Sequence, residues 1–128
     1  MHTSERTEAA IGRWHEAVNR ADLDAARLAV ADQIVVNGPK GAGAVTPDGF
    51  ADWIIRSGIQ MRPRSWHPIS DRVLVVEQDA RWPQNEAWSR VATAFRVTGD
   101  RVSAALRFPD LRAALEFAYI YTELAATE

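Results

Sequence analysis

The stretch that most constrains the fold of this 128-residue chain runs from Arg13 to Pro39, RWHEAVNRADLDAARLAVADQIVVNGP. At its start, Ile11, Trp14 and Val18 follow one another at spacings of three and four residues. This spacing places all three side chains on one face of a helix. It predicts an amphipathic helix over residues 5–19.

The rest of this stretch predicts a break, a short helix and a strand. Residues 19–22 end the first helix, and Asp22 is placed to cap a second helix running from Leu23 to Val30. The run from Gln33 to Asn37 is β-branched and short, which favours a strand that ends at the turn Gly38-Pro39. Two helices therefore precede the first strand.

The remaining sequence continues with one more helix, a set of strands and a final helix. Residues 41–44 are glycine and alanine, which predicts a flexible loop. Thr46 caps a predicted helix that has Pro47 at its first position and ends near Gly58. Alternating patterns then predict strands over 66–70, 73–82, 86–97 and 101–108, and Asp110 is placed to cap a helix at the C-terminal end.

Helices followed by an antiparallel meander are typical of an α+β fold. We predict a single domain over residues 1–128, in which the N-terminal helices pack on one face of a curved antiparallel sheet and an extra helix follows. A bent sheet wrapped around a helix forms a cone, and such concave interiors commonly hold small ligands.

Composition excludes several classes of function. Hydrophobic residues make up 47% and charged residues 25% of the chain, and the formal net charge is −2. That balance gives no basic face for nucleic acid. Cysteine is absent, no apolar stretch is long enough for a membrane span, and the three histidines lack metal-ligand spacing. We therefore expect a cytoplasmic protein with no nucleic-acid partner, no membrane partner, no metal and no cofactor.

The segments WHEAVNRADLDAARLAVADQIVVNGP and AFRVTGDRVSAALRFPDLRAAL, with the helix after Thr46, resemble the nuclear transport factor 2-like (NTF2-like) superfamily. The nearest resemblance is to its SnoaL-like and ketosteroid-isomerase-like branch. The resemblance covers nearly the whole chain and implies the cone-shaped, cystatin-like fold. The superfamily contains isomerases, cyclases, epoxide hydrolases and proteins without chemistry, so fold alone does not identify a reaction.

The resemblance to ketosteroid isomerases implies where a catalytic set would lie. Those enzymes use a carboxylate base, with a tyrosine and a protonated aspartic acid as donors to the oxyanion. Here Trp14 stands at the tyrosine position, Gly38 at the base and Thr93 at the aspartic acid. All three changes remove the chemistry, so isomerisation by that mechanism is not expected.

Three other residues are candidates for chemistry. His67 is predicted on a strand at the mouth of the cone, and imidazole suits proton transfer at neutral pH; the alternative is a rim histidine bonded to backbone. Asp110 is the nearest match to the late acid/base aspartate of SnoaL-like cyclases, although its position also suits a helix cap. Asn37 matches loosely an asparagine of limonene-epoxide-hydrolase-like members and is a candidate orienting donor.

The predicted ligand is small and apolar, and aromatic side chains are the candidates to line its site. Five tryptophans are many for this length, although they could equally fill the core. The candidate ligand-binding residues, in addition to Asn37, are Trp14, His15, Trp53, Trp66, Trp82, Thr93 and Phe95.

Trp88 has the opposite parity to Thr93 and Phe95, which predicts an outward tryptophan on a covered surface. In the family this surface is typically a homodimer interface, so we predict a homodimer through the outer sheet face. Arg107 is expected on the same outer face. The C-terminal FAYIYTEL segment could cap the cone or dock on a partner subunit.

Two functional hypotheses remain open. One is a SnoaL-like small-molecule protein that acts by acid/base chemistry on an apolar or polyketide-like substrate, as an isomerase, cyclase or lyase. The other is a non-catalytic ligand-binding or dimerisation module that has lost the catalytic Asp and Tyr.

Overall fold

A computed structural model describes residues 5–38 and 41–127, which form four helices and six strands. The helices are α1 (Glu5–Arg20), α2 (Leu23–Ala29), α3 (Pro47–Ser57) and α4 (Leu111–Ala126). The strands are β1 (Val30–Gly38), β2 (Gly41–Val45), β3 (Gln60–Pro68), β4 (Val73–Arg81), β5 (Ser89–Thr98) and β6 (Arg101–Phe108). The predicted α+β class is confirmed, while Pro39 of the predicted turn lies outside the described residues. No helix in the described part of the chain is both long and apolar enough to cross a membrane.

The six strands form one sheet in the order β2-β1-β6-β5-β4-β3. Four of the five neighbouring pairs are antiparallel, but β1 and β6 are parallel. The sheet is therefore mixed, and the expected antiparallel arrangement holds for every neighbouring pair except β1 and β6. After α3, the chain returns to the sheet as β3, at the edge opposite to β2. The strands β4, β5 and β6 then follow one another back across the sheet, so that β6 lies next to β1 and parallel to it.

Strand β2 and the first part of strand β3 were not predicted from the sequence, for identifiable reasons. Residues 41–44, expected as a loop, belong to β2, which pairs with β1 through backbone groups that glycine and alanine also possess. Strand β3 starts at Gln60 rather than near Trp66. Its register with β4 shifts between Pro63 and Ser65, which marks a bulge in β3. Such a bulge interrupts the alternation on which the sequence prediction depended.

The helix boundaries follow the predicted caps. The carboxylate of Asp22 accepts a hydrogen bond from the backbone of Ala25, and the hydroxyl of Thr46 accepts one from Gly49. Gly58 ends α3 in the left-handed region, with φ of 59°. A Cβ atom there would lie only 2.6 Å from Cγ of Pro83, so both the backbone angle and the space require glycine.

The sheet has two covered faces. The inner face packs against α1, α2 and α3 and carries the larger core, which includes Leu74, Val76 and Phe95. The outer face packs against α4, where Val75 and Ala94 contact the helix through a smaller cluster around Ala114. The C-terminal helix therefore lies on the outer face of its own chain, and the inner face is left to form the cavity.

A candidate ligand cavity on the inner face

A cavity of about 360 Å³ opens between the inner face of the sheet, α1 and α3. Its volume lies within the range of small-molecule sites. The residues around it are mainly apolar and come from α1, α3 and five strands: Trp14, Ile34, Val36, Asn37, Gly38, Val45, Gly49, Phe50, Trp53, Arg56, Met61, Thr93, Ala105 and Arg107. A second concavity of about 330 Å³ lies between α1 and α2, but charged side chains such as Arg13, Glu16 and Arg20 make it a polar surface groove.

Three stacked aromatic rings form one wall of the cavity. Trp14 of α1 lies nearly parallel to Phe50 of α3 with the ring centroids 5.9 Å apart, and Phe50 is stacked on Trp53 at the same distance. Behind this wall, the ring of Phe95 meets Trp14 edge to face at 4.9 Å. The positions of Phe50 and Trp53 follow from the helical spacing of α3. The stack provides flat apolar surfaces on which a ligand ring can pack.

The indole N–H of Trp14 is buried and has no hydrogen-bond partner among the described residues. The whole side chain is only 3% exposed, so bulk water does not satisfy it. A buried donor without an acceptor costs about 1–3 kcal/mol. The folded protein therefore carries this cost at Trp14.

A chain of buried polar groups lies between α1 and the sheet. Nδ1 of His15 is 2.9 Å from the carbonyl of Ile11, and Nε2 is 2.8 Å from Nε2 of Gln78. Because a backbone carbonyl can only accept, Nδ1 carries the proton, and Nε2 accepts a hydrogen bond from the Gln78 amide. The Oε1 of Gln78 in turn accepts a hydrogen bond from Thr93 Oγ1 at 2.7 Å. The hydroxyl of Thr93, one of the residues around the cavity, is therefore held by Gln78.

Burial lowers the pKa of His15 from 6.5 to about 4, although the bond to Ile11 acts in the opposite direction. The imidazole is therefore neutral at pH 7. Its two nitrogens are both occupied, which makes His15 a fixed part of the core that orients Gln78 and Thr93.

Arg56 and Arg107 bring positive charge to the cavity wall. The guanidinium of Arg107 lies over the ring of Trp82 at 5.1 Å, and desolvation by burial lowers the pKa of Arg107 from its usual value. The residue as a whole remains exposed, so the desolvation of its charge is partial. The expectation that Arg107 faces outward is wrong: it is paired with Thr93 across β5 and β6, and both line the cavity.

No protein-family model and no curated protein matches this sequence. Solved structures do match. The Δ5-3-ketosteroid isomerase from Mycobacterium sp. has a TM-score of 0.71 and 16% identity, over 86% of this chain and 97% of that chain. An NTF2-like protein of unknown function from Cytophaga hutchinsonii has a TM-score of 0.70 and 11% identity, over 90% and 97%.

RV0760c from Mycobacterium tuberculosis, solved in complex with estradiol-17β-hemisuccinate, matches with a TM-score of 0.70 and 11% identity. That match covers 85% of this chain and 97% of the other chain. The chain has the nuclear transport factor 2-like fold. The predicted resemblance is thereby confirmed at the level of the fold, and the activity has to be argued from the residues of the cavity.

In this NTF2-like fold, the three positions assigned by resemblance to the isomerase set do lie together. Trp14, Gly38 and Thr93 all line the cavity. The Trp14 N–H is the one free donor among these three side chains, while glycine offers no base and Thr93 donates to Gln78.

Asn37 lines the cavity, but its amide is already used. Its Nδ2 donates to the carbonyl of Arg107 at 2.8 Å, and its Oδ1 accepts from the Arg107 backbone N–H at 2.9 Å. The side chain thus behaves like a backbone peptide that joins β1 to β6. Its structural effect is to fix the strand that carries Arg107.

His67 lies on β3 as predicted, but on the other face of the sheet. It is paired with Val75, which packs under α4, and it is absent from the residues around the cavity. Its Nε2 is 2.8 Å from the hydroxyl of Ser65, which also lies 3.3 Å from Glu77. The expected position at the mouth of the cone is wrong, because His67 directly follows Trp66, which lies beside His15 on the inner face, and consecutive residues of a strand point to opposite faces.

Of the remaining predicted site residues, Trp53 lines the cavity and the others do not. Asp110 caps α4 by accepting a hydrogen bond from Ala113 at 2.8 Å, in agreement with the alternative of a structural cap. Trp82 lies behind Arg107, and Trp66 is on the inner face beside His15, with the ring centroids 5.9 Å apart.

Sequence reasoning missed Arg56, Arg107 and the role of Gln78. Arg56 follows Trp53 by three residues on α3, so helical spacing already placed it on the inward face. Gln78 stood alone as a polar residue in the inward row Leu74, Val76 and Ala80, which is a readable signal for a buried hydrogen bond. The direction of Arg107 was hidden by a register shift between β5 and β6 at Arg96 and Val97.

Proposed function

We propose that this protein binds a small, mostly apolar molecule with a flat ring system in the inner-face cavity. The observation that carries the proposal is the stack of the Trp14, Phe50 and Trp53 rings in the wall of a 360 Å³ cavity. A ligand with flat rings would pack on these rings and remove their apolar surface from water.

The chemistry of the wall favours binding over the isomerase type of proton transfer. Among the described residues around the cavity, none is an aspartate, glutamate, tyrosine or histidine. His15 lies behind the wall, and its two nitrogens are hydrogen-bonded to Ile11 and Gln78. The lining therefore offers donors, acceptors and positive charge, but no side chain suited to carry a proton between two carbon atoms near pH 7.

A structural neighbour supports the choice of ligand class. RV0760c was solved with estradiol-17β-hemisuccinate, which has a flat fused-ring body. With 11% identity the likeness concerns the fold, so the proposal depends on the aromatic wall of this chain. The ligand class follows from Trp14, Phe50 and Trp53, which present stacked rings from two different helices.

The test is calorimetry with four probes: estradiol-17β-hemisuccinate, estradiol, 2-naphthylacetate and 2-(2-naphthyl)ethanol. We expect at least one pair to bind with one site per chain. The variant Ala105→Phe would fill the cavity and abolish binding, since Ala105 lines it. The matched control is Leu106→Phe, on the same strand but paired with Ala94 on the outer face, which should bind as the unmodified chain does. Absence of binding by all four probes, or unchanged binding by Ala105→Phe, would overturn the proposal.

Dimerisation through the outer face and a cytoplasmic location remain predictions. Helix α4 already covers Val75 and Ala94, so a dimer would use the part of that face that α4 leaves free. Trp88 lies at this part, and Arg62 and Arg81 of its own chain cover its ring at 3.8 Å and 4.8 Å. Light scattering gives the molar mass of the unmodified chain and of Trp88→Ala in solution. A dimer that becomes a monomer in Trp88→Ala would support an interface that includes Trp88, and a monomeric unmodified chain would contradict the predicted dimer.

A further inference from the structure

We infer that the natural ligand carries a carboxylate, which the arginines of the cavity wall, Arg56 and Arg107, bind while its rings lie on the aromatic wall. This inference rests on the proposed function and names the ligand class more closely. It makes the site a receptor for flat apolar acids rather than for neutral ring compounds.

The two arginines have no counter-charge in the cavity wall. Neither guanidinium has a hydrogen bond or an ion pair with any residue in the described part of the chain, and no acidic residue is among the described residues around the cavity. On the outer face, by contrast, Arg64 and Arg90 both bind Asp79, at 2.9 Å and 2.8 Å. The described cavity wall therefore carries two positive charges and no negative one.

The charge of Arg107 is incompletely solvated. Burial lowers its pKa, which means that the protein disfavours the cation relative to water. An arginine nevertheless stays protonated under physiological conditions, so this cost is carried by the folded protein. A bound anion would offset it, because an opposite charge nearby favours the charged form.

Arg107 is held in place before any ligand binds. Its backbone N–H and carbonyl are both bonded to the side chain of Asn37, and its guanidinium lies over Trp82. A planar guanidinium fixed in this way matches a planar carboxylate, with which arginine forms two parallel hydrogen bonds. Preorganisation of this kind lowers the entropic cost of binding.

The experiment compares each acid with its neutral partner: estradiol-17β-hemisuccinate with estradiol, and 2-naphthylacetate with 2-(2-naphthyl)ethanol. We expect each acid to bind about 10- to 100-fold more tightly, the range of a hydrogen bond to a charged group. Arg107→Gln and Arg56→Gln should each remove most of this preference, because they weaken binding of the acid much more than binding of its neutral partner. Arg101→Gln is the matched control, since Arg101 is an exposed arginine on the same strand as Arg107 and lies outside the cavity lining.

The outcomes separate this inference from the proposed function. If acid and neutral partner bind equally tightly, the carboxylate inference is wrong while the proposed function stands. If no probe binds, both fail. If the preference for the acid persists in both arginine variants, or is lost equally in Arg101→Gln, the assignment to Arg56 and Arg107 is overturned. Circular dichroism of each variant confirms that a loss of binding is not a loss of folding.

Discussion

The amide of Gln78 donates a hydrogen bond to the imidazole of His15 at 2.8 Å and thereby ties α1 to the middle of the sheet. Both side chains are buried, and they are 63 residues apart in the sequence. The same Gln78 amide accepts from Thr93, so one side chain connects the helix that carries Trp14 to the strand that carries Thr93. The shape of the cavity wall depends on this connection.

We expect Gln78→Leu to destabilise the protein by about 2–4 kcal/mol, because it leaves Nε2 of His15 and the hydroxyl of Thr93 buried without partners. Urea unfolding measures the change. The control is Gln84→Leu in the exposed β4–β5 loop, for which a change within about 0.5 kcal/mol is expected. Adding Thr93→Val to Gln78→Leu should cost less than the sum of the single changes. Strict additivity would show that the two side chains do not interact.

Stability should fall as the pH falls below 6.5. The pKa of His15 is lowered to about 4 in the folded state, so the unfolded chain binds a proton there that the folded chain does not. The contribution of neutral His15 to the free energy of unfolding is fully present above pH 6.5 and is lost progressively as the pH falls from 6.5 to about 4. The total loss is about 3 kcal/mol, at about 1.36 kcal/mol per pKa unit. Urea unfolding between about pH 7 and 4.5 measures it, and His15→Gln should flatten the slope over this range. Parallel slopes for the two proteins would contradict the prediction.

Gly58→Ala and Gly12→Ala should change stability in opposite directions. Gly58 has φ of 59° and a Cβ there would meet Pro83 at 2.6 Å, so we expect a loss of about 1–2 kcal/mol. Gly12 lies inside α1, where an added Cβ would meet no neighbouring atom within 4 Å, so alanine should gain about 0.5–1 kcal/mol through helix propensity. Thermal unfolding of both variants is the measurement. A gain for Gly58→Ala would show that α3 can end without the left-handed residue.

Asn37→Asp should weaken the junction of β1 and β6 while keeping the size of the side chain. An ionised aspartate still accepts from the Arg107 N–H but cannot donate to its carbonyl, so one of the two bonds is lost. We expect a loss of about 1 kcal/mol in the free energy of unfolding. Asn85→Asp in the exposed loop after β4 is the control. Equal stabilities of the two variants would argue against a role for the Asn37 amide in the sheet.

The sequence was most informative where local rules act alone. Asp22, Thr46 and Asp110 were predicted as helix caps and accept the expected backbone hydrogen bonds, because capping depends on residues within one turn. The long strand β4 and the helix α1 followed in the same way from periodicity.

The residues of the cavity were harder to predict, because their position depends on which face of the sheet each side chain occupies. In β6 a register shift against β5 changes which residues share the inner face, so Arg107 was assigned to the wrong side of the sheet. His67 was misplaced for another reason: it directly follows Trp66, and consecutive residues of a strand point to opposite faces. Trp14 and Thr93 were placed in the site through the resemblance to ketosteroid isomerases, and both do line the cavity. Around Thr93 the pairing of β5 with β4 has no register shift that could have misled the prediction.

The parallel pairing of β1 with β6 also bears on how the chain reaches its native state. The bonds from Asn37 to Arg107 join groups 70 residues apart, and the β1–β6 contact is what connects the β1–β2 hairpin to the meander. Closing so long a loop costs entropy before any contact repays it, and non-local pairing of this kind slows folding. During synthesis, β2 follows β1 directly, but β6, the neighbour on the other edge of β1, follows only after most of the remaining chain. Until β6 is made, that edge of β1 presents unpaired backbone groups of the kind that pair with other chains.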